Sequence, residues 1–221
     1  MVEINQEVNN LPQNITHLTF GWDFNQEVDS LPLNLTHLLF NSYWFNKQVD
    51  NLPQNLTYLS FLWIFNKSID NLPSKLTHLI LSRDFNQPII NLPQNLTHLT
   101  FGNCFNQKID IPFSIKYLKL DCNNQNIIDY LPDSIEELEL NSNFNLELNN
   151  LPSSLKKIIF TKNCKYTNYL NNLPIKIELI KLPEKYKLEI INIPKELKKV
   201  ICYKNYKYIN NFKDLEIKTF K

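Results

Sequence analysis

Apolar residues return along the chain in a fixed order, about every 20 residues. Most cycles open on Leu-Pro and set an aliphatic residue three positions after the proline, and the clearest continue with an alternating Leu-x-Phe. A further phenylalanine and an Ile or Val lead to the next Leu-Pro. The copies LPQNITHLTFGWDFNQEVDS from Leu11 and LPQNLTHLTFGNCFNQKID from Leu92 show this pattern most fully. Ten of the twelve prolines keep one register (Pro12, Pro32, Pro53, Pro73, Pro93, Pro112, Pro132, Pro152, Pro174 and Pro194), at spacings of 20, 21, 20, 20, 19, 20, 20, 22 and 20. Two packed helices need a longer period than this, whereas one strand and a return fit. The segment T-H-L-x-F alternates like a strand, with Leu18 and Phe20, or Leu99 and Phe101, on one face and Thr and His on the other. A proline in every cycle excludes a long helix and suits an extended return. The pattern therefore predicts a mainly β, leucine-rich-repeat-like solenoid, with one short parallel strand per ~20-residue coil, irregular convex returns, and neighbouring strands about 4.8 Å apart.

A coil of this kind cannot bury its apolar side alone, so residues 1–221 read as a single repeat domain. Residues 4–110 are regular, 111–212 are divergent coils, and 213–221 read as a C-terminal capping strand because Leu215 and Ile217 alternate. Four columns are assigned to the core: Ile15, Leu35, Leu56, Leu76 and Leu96; Leu18, Leu38, Leu59, Leu79 and Leu99; Phe20, Phe40, Phe61, Leu81 and Phe101; and Phe24, Phe45, Phe65, Phe85 and Phe105.

The segments Phe24-Asn25-Gln26, Phe45-Asn46, Phe65-Asn66, Phe85-Asn86-Gln87-Pro88-Ile89 and Phe105-Asn106-Gln107, with a weaker Phe144-Asn145, resemble the FNIP repeat family. Their L-P-x-x-L-x-x-L-x-L portion looks like short leucine-rich repeats. The resemblance is close over residues 4–110 and fades over 111–212. It implies a non-catalytic repeat module of slime-mould or giant-virus type. Family members often begin with an F-box that recruits a ubiquitin ligase. Here the repeats start at once, mid-repeat and without an evident N-terminal cap, so that recruitment role is not carried over.

Composition removes several function classes. Glycine occurs twice, at Gly21 and Gly102, and alanine is absent. Phosphate-cradling turns need several close glycines, so the common nucleotide-binding enzymes are excluded. No nucleophile elbow is present, and Cys104, just before a core phenylalanine, reads as structural. No catalytic residue, resident metal or cofactor is expected, and the chain does not read as an enzyme. No run of 18 uncharged apolar residues and no signal peptide occur, so an intracellular, cytoplasmic protein is expected, in a host cytoplasm if viral. The four cysteines (Cys104, Cys122, Cys164 and Cys202) show no CxxC pair and read as free thiols.

Three outward columns carry the candidate chemistry. Asn25, Asn46, Asn66, Asn86 and Asn106 form a structural ladder expected to bond backbone groups of the return. All four histidines share one column, His17, His37, His78 and His98, continued by Tyr58 and Tyr117. This column is a repeated polar strand face. Alternatives are a zinc or copper pair, for which no third ligand recurs, and a pH-sensitive face whose imidazoles repel once protonated below about pH 6.5. Two residues before the FN phenylalanine stand Trp22, Tyr43, Trp63, Arg83 and Asn103. Aromatics and Arg dominate binding hot spots, so this column, with the histidines, is the candidate partner surface. The alternative is that its aromatics merely pack along an edge.

Charge divides the chain. Residues 1–110 hold 5 basic and 9 acidic side chains, net −4, and residues 153–221 hold 16 lysines and 6 acids, net +10. Between them Glu136, Glu137 and Glu139 face Lys116 and Lys119 one coil earlier, which suggests cross-strand pairing. The functional reading is a monomeric, non-catalytic scaffold that binds an unknown protein partner through its open strand face, with no membrane and with nucleic acid disfavoured. Alternatives are a nucleic-acid or acidic-surface binder using the Lys-rich C-terminal third, or the substrate-binding part of a ubiquitin-ligase adaptor lacking its F-box.

Overall fold

A computed structural model of the chain describes residues 8–220. The chain divides into two compact units at Ser114/Ile115. The first contains β1 (His17–Phe20), β2 (His37–Phe40), β3 (Tyr58–Phe61), β4 (His78–Ile80) and β5 (His98–Phe101). Each strand is parallel to the next and in register, so that His17 meets His37, Leu38 meets Leu59, and Leu79 meets Leu99. The second contains β6 (Tyr117–Leu120), a one-turn helix α1 (Gln125–Asp129), β7 (Glu137–Leu140), β8 (Lys157–Phe160), β9 (Leu179–Lys181), β10 (Lys199–Tyr203), a short 3-10 turn at Ile209–Phe212, and β11 (Glu216–Phe220). Its strands also pair in parallel and in chain order, ending with β11 on β10. These are eleven strands in a solenoid of about ten turns, mainly β, with one strand per coil.

The Leu-Pro motif has a local cause. In nearly every coil the proline carbonyl accepts the backbone N–H of the aliphatic residue three positions on, as in Leu35 to Pro32 at 3.2 Å and Leu96 to Pro93 at 3.0 Å. This turn delivers the chain into the strand. The threonine that follows adds a second device. Thr36, Thr57, Thr77 and Thr97 each donate the hydroxyl to the threonine carbonyl one coil back, at 3.0–3.2 Å.

The strand residues that point inward meet the return from the same coil. Leu35, Leu56, Leu76 and Leu96 are fully buried, as are the leucines of the second column from Leu38 onward. Ile15 is only half-buried; it lies in the first described coil. Phe24, Phe45, Phe65, Phe85 and Phe105 stack from coil to coil with ring centroids 5.8–6.2 Å apart. In the second unit the same column holds Phe144, Tyr166, Tyr186 and Tyr206, with Tyr186 donating its hydroxyl to the Asn168 carbonyl and Tyr206 to that of Leu188. Burial pushes the Tyr186 phenol up to about 12. Gly102 permits a close approach: a Cβ there would lie 1.8 Å from the Ser82 carbonyl oxygen.

Candidate functional site

The asparagines beside the phenylalanine column form a ladder. Asn25 Oδ1 accepts the backbone N–H of Asn46 at 3.4 Å, and Asn46, Asn66 and Asn86 accept from Asn66, Asn86 and Asn106, each at 2.9 Å. Each side chain thus supplies the acceptor that an irregular return cannot find in a strand partner. The second unit repeats the device with other spacing: Asn123 accepts from Asn145, and Asn145 from Thr167.

The histidine column opens β1, β2, β4 and β5. Its rings stack face to face, His17 on His37 at 4.1 Å and His78 on His98 at 4.0 Å, with Tyr58 bridging them at 5.6 and 5.8 Å. Each Nδ1 is hydrogen-bonded at 2.9 Å to the hydroxyl of the preceding threonine. At His37, His78 and His98 that hydroxyl already donates to a backbone carbonyl. A hydroxyl has one proton, so in the neutral ring Nδ1 donates and Nε2 remains the acceptor. The stacked planes are only 10° and 14° apart, so their in-plane lone pairs run nearly parallel and do not converge on one ion. Among the described residues no group of three or more His, Cys, Asp and Glu could hold a metal. Burial, and then the neighbouring imidazoles, hold His37 and His78 below the ordinary histidine value.

The aromatic column follows the strands. Trp22 packs on Tyr43 at 5.3 Å and edge-on to Trp63 at 5.6 Å, and Tyr43 lies 5.8 Å from Trp63. Trp44, which the sequence pattern passes over, packs edge-on to Tyr43 at 4.9 Å. Tyr43 and Trp63 are half-buried, whereas Trp22 and Trp44 are 51% and 52% exposed, with Leu62 41% exposed beside them in sequence. Two supporting rings therefore hold two outward ones. The backbone below is fixed by Ser42, whose buried hydroxyl donates to the Phe24 carbonyl at 2.6 Å and accepts from the amides of Trp44 and Phe45. Arg83 is exposed and pairs with its neighbour Asp84 at 3.7 Å. His17 opens β1 and Trp22 stands two residues beyond its last residue, Phe20, so the histidine and tryptophan columns lie toward opposite ends of the strands.

The remaining candidates sort by exposure. Cys104 is exposed rather than structural, its thiol 3.8 Å from the Asp84 carboxylate, because the residue before each FN phenylalanine points outward. Cys122 and Cys164 are buried, which pushes their thiols up to about 12 and about 11. In the second unit the open strand face is charged. Lys116 and Lys156 flank Glu136 at 3.7 and 2.6 Å, Lys119 meets Glu139 at 2.8 Å, and Lys157 meets Glu137 at 2.9 Å. Among the described residues no helix is long and apolar enough to cross a membrane.

The FNIP repeat signature matches residues 5–43, 45–84, 65–104, 85–123, 105–143 and 123–163. The chain belongs to the FNIP repeat family. A search of curated proteins finds no match. Among solved structures this FNIP repeat chain is similar to CroV588, described as a novel circular LRR protein, with a TM-score of 0.67 and 29% identity over 88% of the chain. It also shares its fold with YopM from Yersinia enterocolitica WA-314, at a TM-score of 0.52 and 18% identity over 89% of the chain. It spans only 34% of the first structure's chain and 52% of the second's.

Proposed function

We propose that this chain is a non-catalytic scaffold that binds a partner protein, and that the contact is centred on the aromatic cluster after β1–β3. One observation carries the reading: Trp22 and Trp44 are half exposed yet held by ring packing on Tyr43 and Trp63. Fixed, outward indoles lose little freedom on binding and supply large apolar contact area, the combination found at hot spots. The five-ring stack of His17, His37, Tyr58, His78 and His98 flanks this contact on the open strand face and offers imidazole acceptors. The leucine-rich-repeat-like fold shared with CroV588 and YopM is one in which a repeated core leaves its outward columns free for recognition.

The test is site-directed photocrosslinking. A photoreactive phenylalanine analogue replaces Trp44 in one bait and the exposed Leu33, in the turn after Pro32, in another. A partner attached from position 44 and not from position 33 supports the reading. Equal attachment from both, or attachment from position 33 alone, contradicts it.

A further inference from the structure

The position two residues beyond the inward-facing strand end, occupied by Trp22 and Trp63 in the first unit, is occupied by Lys162, Glu184 and Lys204 in the second. Lys162, Asn163, Cys164, Lys165, Glu184 and Lys185 line a shallow cleft there of about 200 Å³. The amide of Glu184 donates to the Lys162 carbonyl at 3.0 Å, which fixes the two coils side by side. Lys162 leans over the ring of Tyr203, two coils on, 5.7 Å from its centroid, and Lys207 over Tyr208 at 5.2 Å.

Two groups among the lysines of this unit differ in what stands beside them. Those on the strand face, Lys116, Lys119, Lys156, Lys157, Lys198 and Lys199, each lie within ion-pair distance of a glutamate. Lys162, Lys165, Lys185, Lys204 and Lys207 are exposed, and among the described residues none is in an ion pair. These five lysines, against Glu184, give this edge of the coils an excess of positive charge. In the cleft three ammonium groups face one carboxylate, a local excess of +2.

We infer that this edge is a binding site for single-stranded nucleic acid, read by charge and not by sequence. Lysine is a point charge well suited to phosphate, whereas carboxylate recognition favours the arginine fork, and no arginine follows Arg83. Aromatic rings beneath two of the ammonium groups are the kind of platform on which bases stack. Lysines from successive coils recur along the direction of strand stacking and give a backbone several phosphate contacts in a row.

The test is fluorescence anisotropy of a labelled oligo(dT) as a function of salt, using the full chain and two triple variants. K162Q/K165Q/K185Q removes the edge charges; K156Q/K157Q/K198Q removes the same charge from the ion-paired face. The site predicts saturable binding at about 50 mM salt, with a log–log salt slope about 2 smaller in magnitude for the edge variant and affinity weakened about tenfold or more, while the face variant stays within about twofold of wild type. K204Q/K207Q gives a second edge variant should the first fail to fold. No binding at low salt, equal losses in both triple variants, or equal competition by poly-glutamate of matched charge would overturn the inference.

Discussion

The two units build the same coil from different side chains. Both keep the Leu-Pro turn, the inward Leu-x-Phe or its equivalent, and a stacked aromatic after the strand. In the first unit that aromatic is always phenylalanine; in the second it becomes tyrosine from Tyr166 onward, with hydroxyls that reach backbone carbonyls. The outward columns diverge further. The first residue of each strand is His or Tyr in the first unit, forming a stack, and Glu or Lys at β7, β8, β10 and β11, forming ion pairs. The edge beyond the strands is indole-rich in one unit and lysine-rich in the other. Inward positions define the fold, and it is the outward positions that differ between the units.

Substitutions separate what the two units share from what divides them. The largest effect belongs to the shared core: Phe65→Ala, deep in the phenylalanine stack, is expected to cost about 3–5 kcal/mol in urea unfolding. Next comes the charged face of the second unit. Glu139 accepts from both Lys119 and Tyr117, so Glu139→Gln should cost about 1–2 kcal/mol, with the loss shrinking as salt rises. Its counterpart in the first unit is neutral. Asn66→Ala deprives the Asn86 amide of its acceptor and should cost about 1 kcal/mol whatever the salt, a contrast visible by repeating the urea titrations in high salt.

The smallest effect is that of pH on the histidine stack. Because His37 and His78 are held below the ordinary value, the unfolded chain binds more protons than the folded one as pH falls. Their contribution is complete above about pH 6.5 and is lost as pH drops through the depressed folded values. Urea midpoints at pH 7.5 and 5.5 should therefore differ more for wild type than for His37→Gln/His78→Gln; an identical pH response would refute the stack's role.

Much of the fold was legible because a proline and an alternating apolar pair mark each coil and because a strand's period of two names the buried face. The lost details depend on geometry between coils. Thr36 and its counterparts read as polar face residues, yet each hydroxyl bonds the coil behind, which only register reveals. Trp44 stands directly before Phe45, a position that holds Asp23, Ile64, Asp84 and Cys104 in the other coils, so no aromatic column marks it in the sequence. The helix α1 replaces a return that lacks the FN phenylalanine; Asn124 caps it by accepting from the Asn126 amide. The sorting of lysines into paired and unpaired sets was hidden for the same reason, since identical residues differ only in what stands across the strand.

In the function proposed above, the aromatic edge of the first unit, and not the basic edge of the second, holds the protein partner. One parallel capture from lysate decides between the two edges, with wild type, Trp22→Ala/Trp44→Ala and K162Q/K165Q/K185Q as baits, each verified as folded and each treated with nuclease. The expected result is a protein retained by wild type and by the lysine variant and lost from the tryptophan variant. A protein retained by the tryptophan variant and lost from the lysine variant would contradict it.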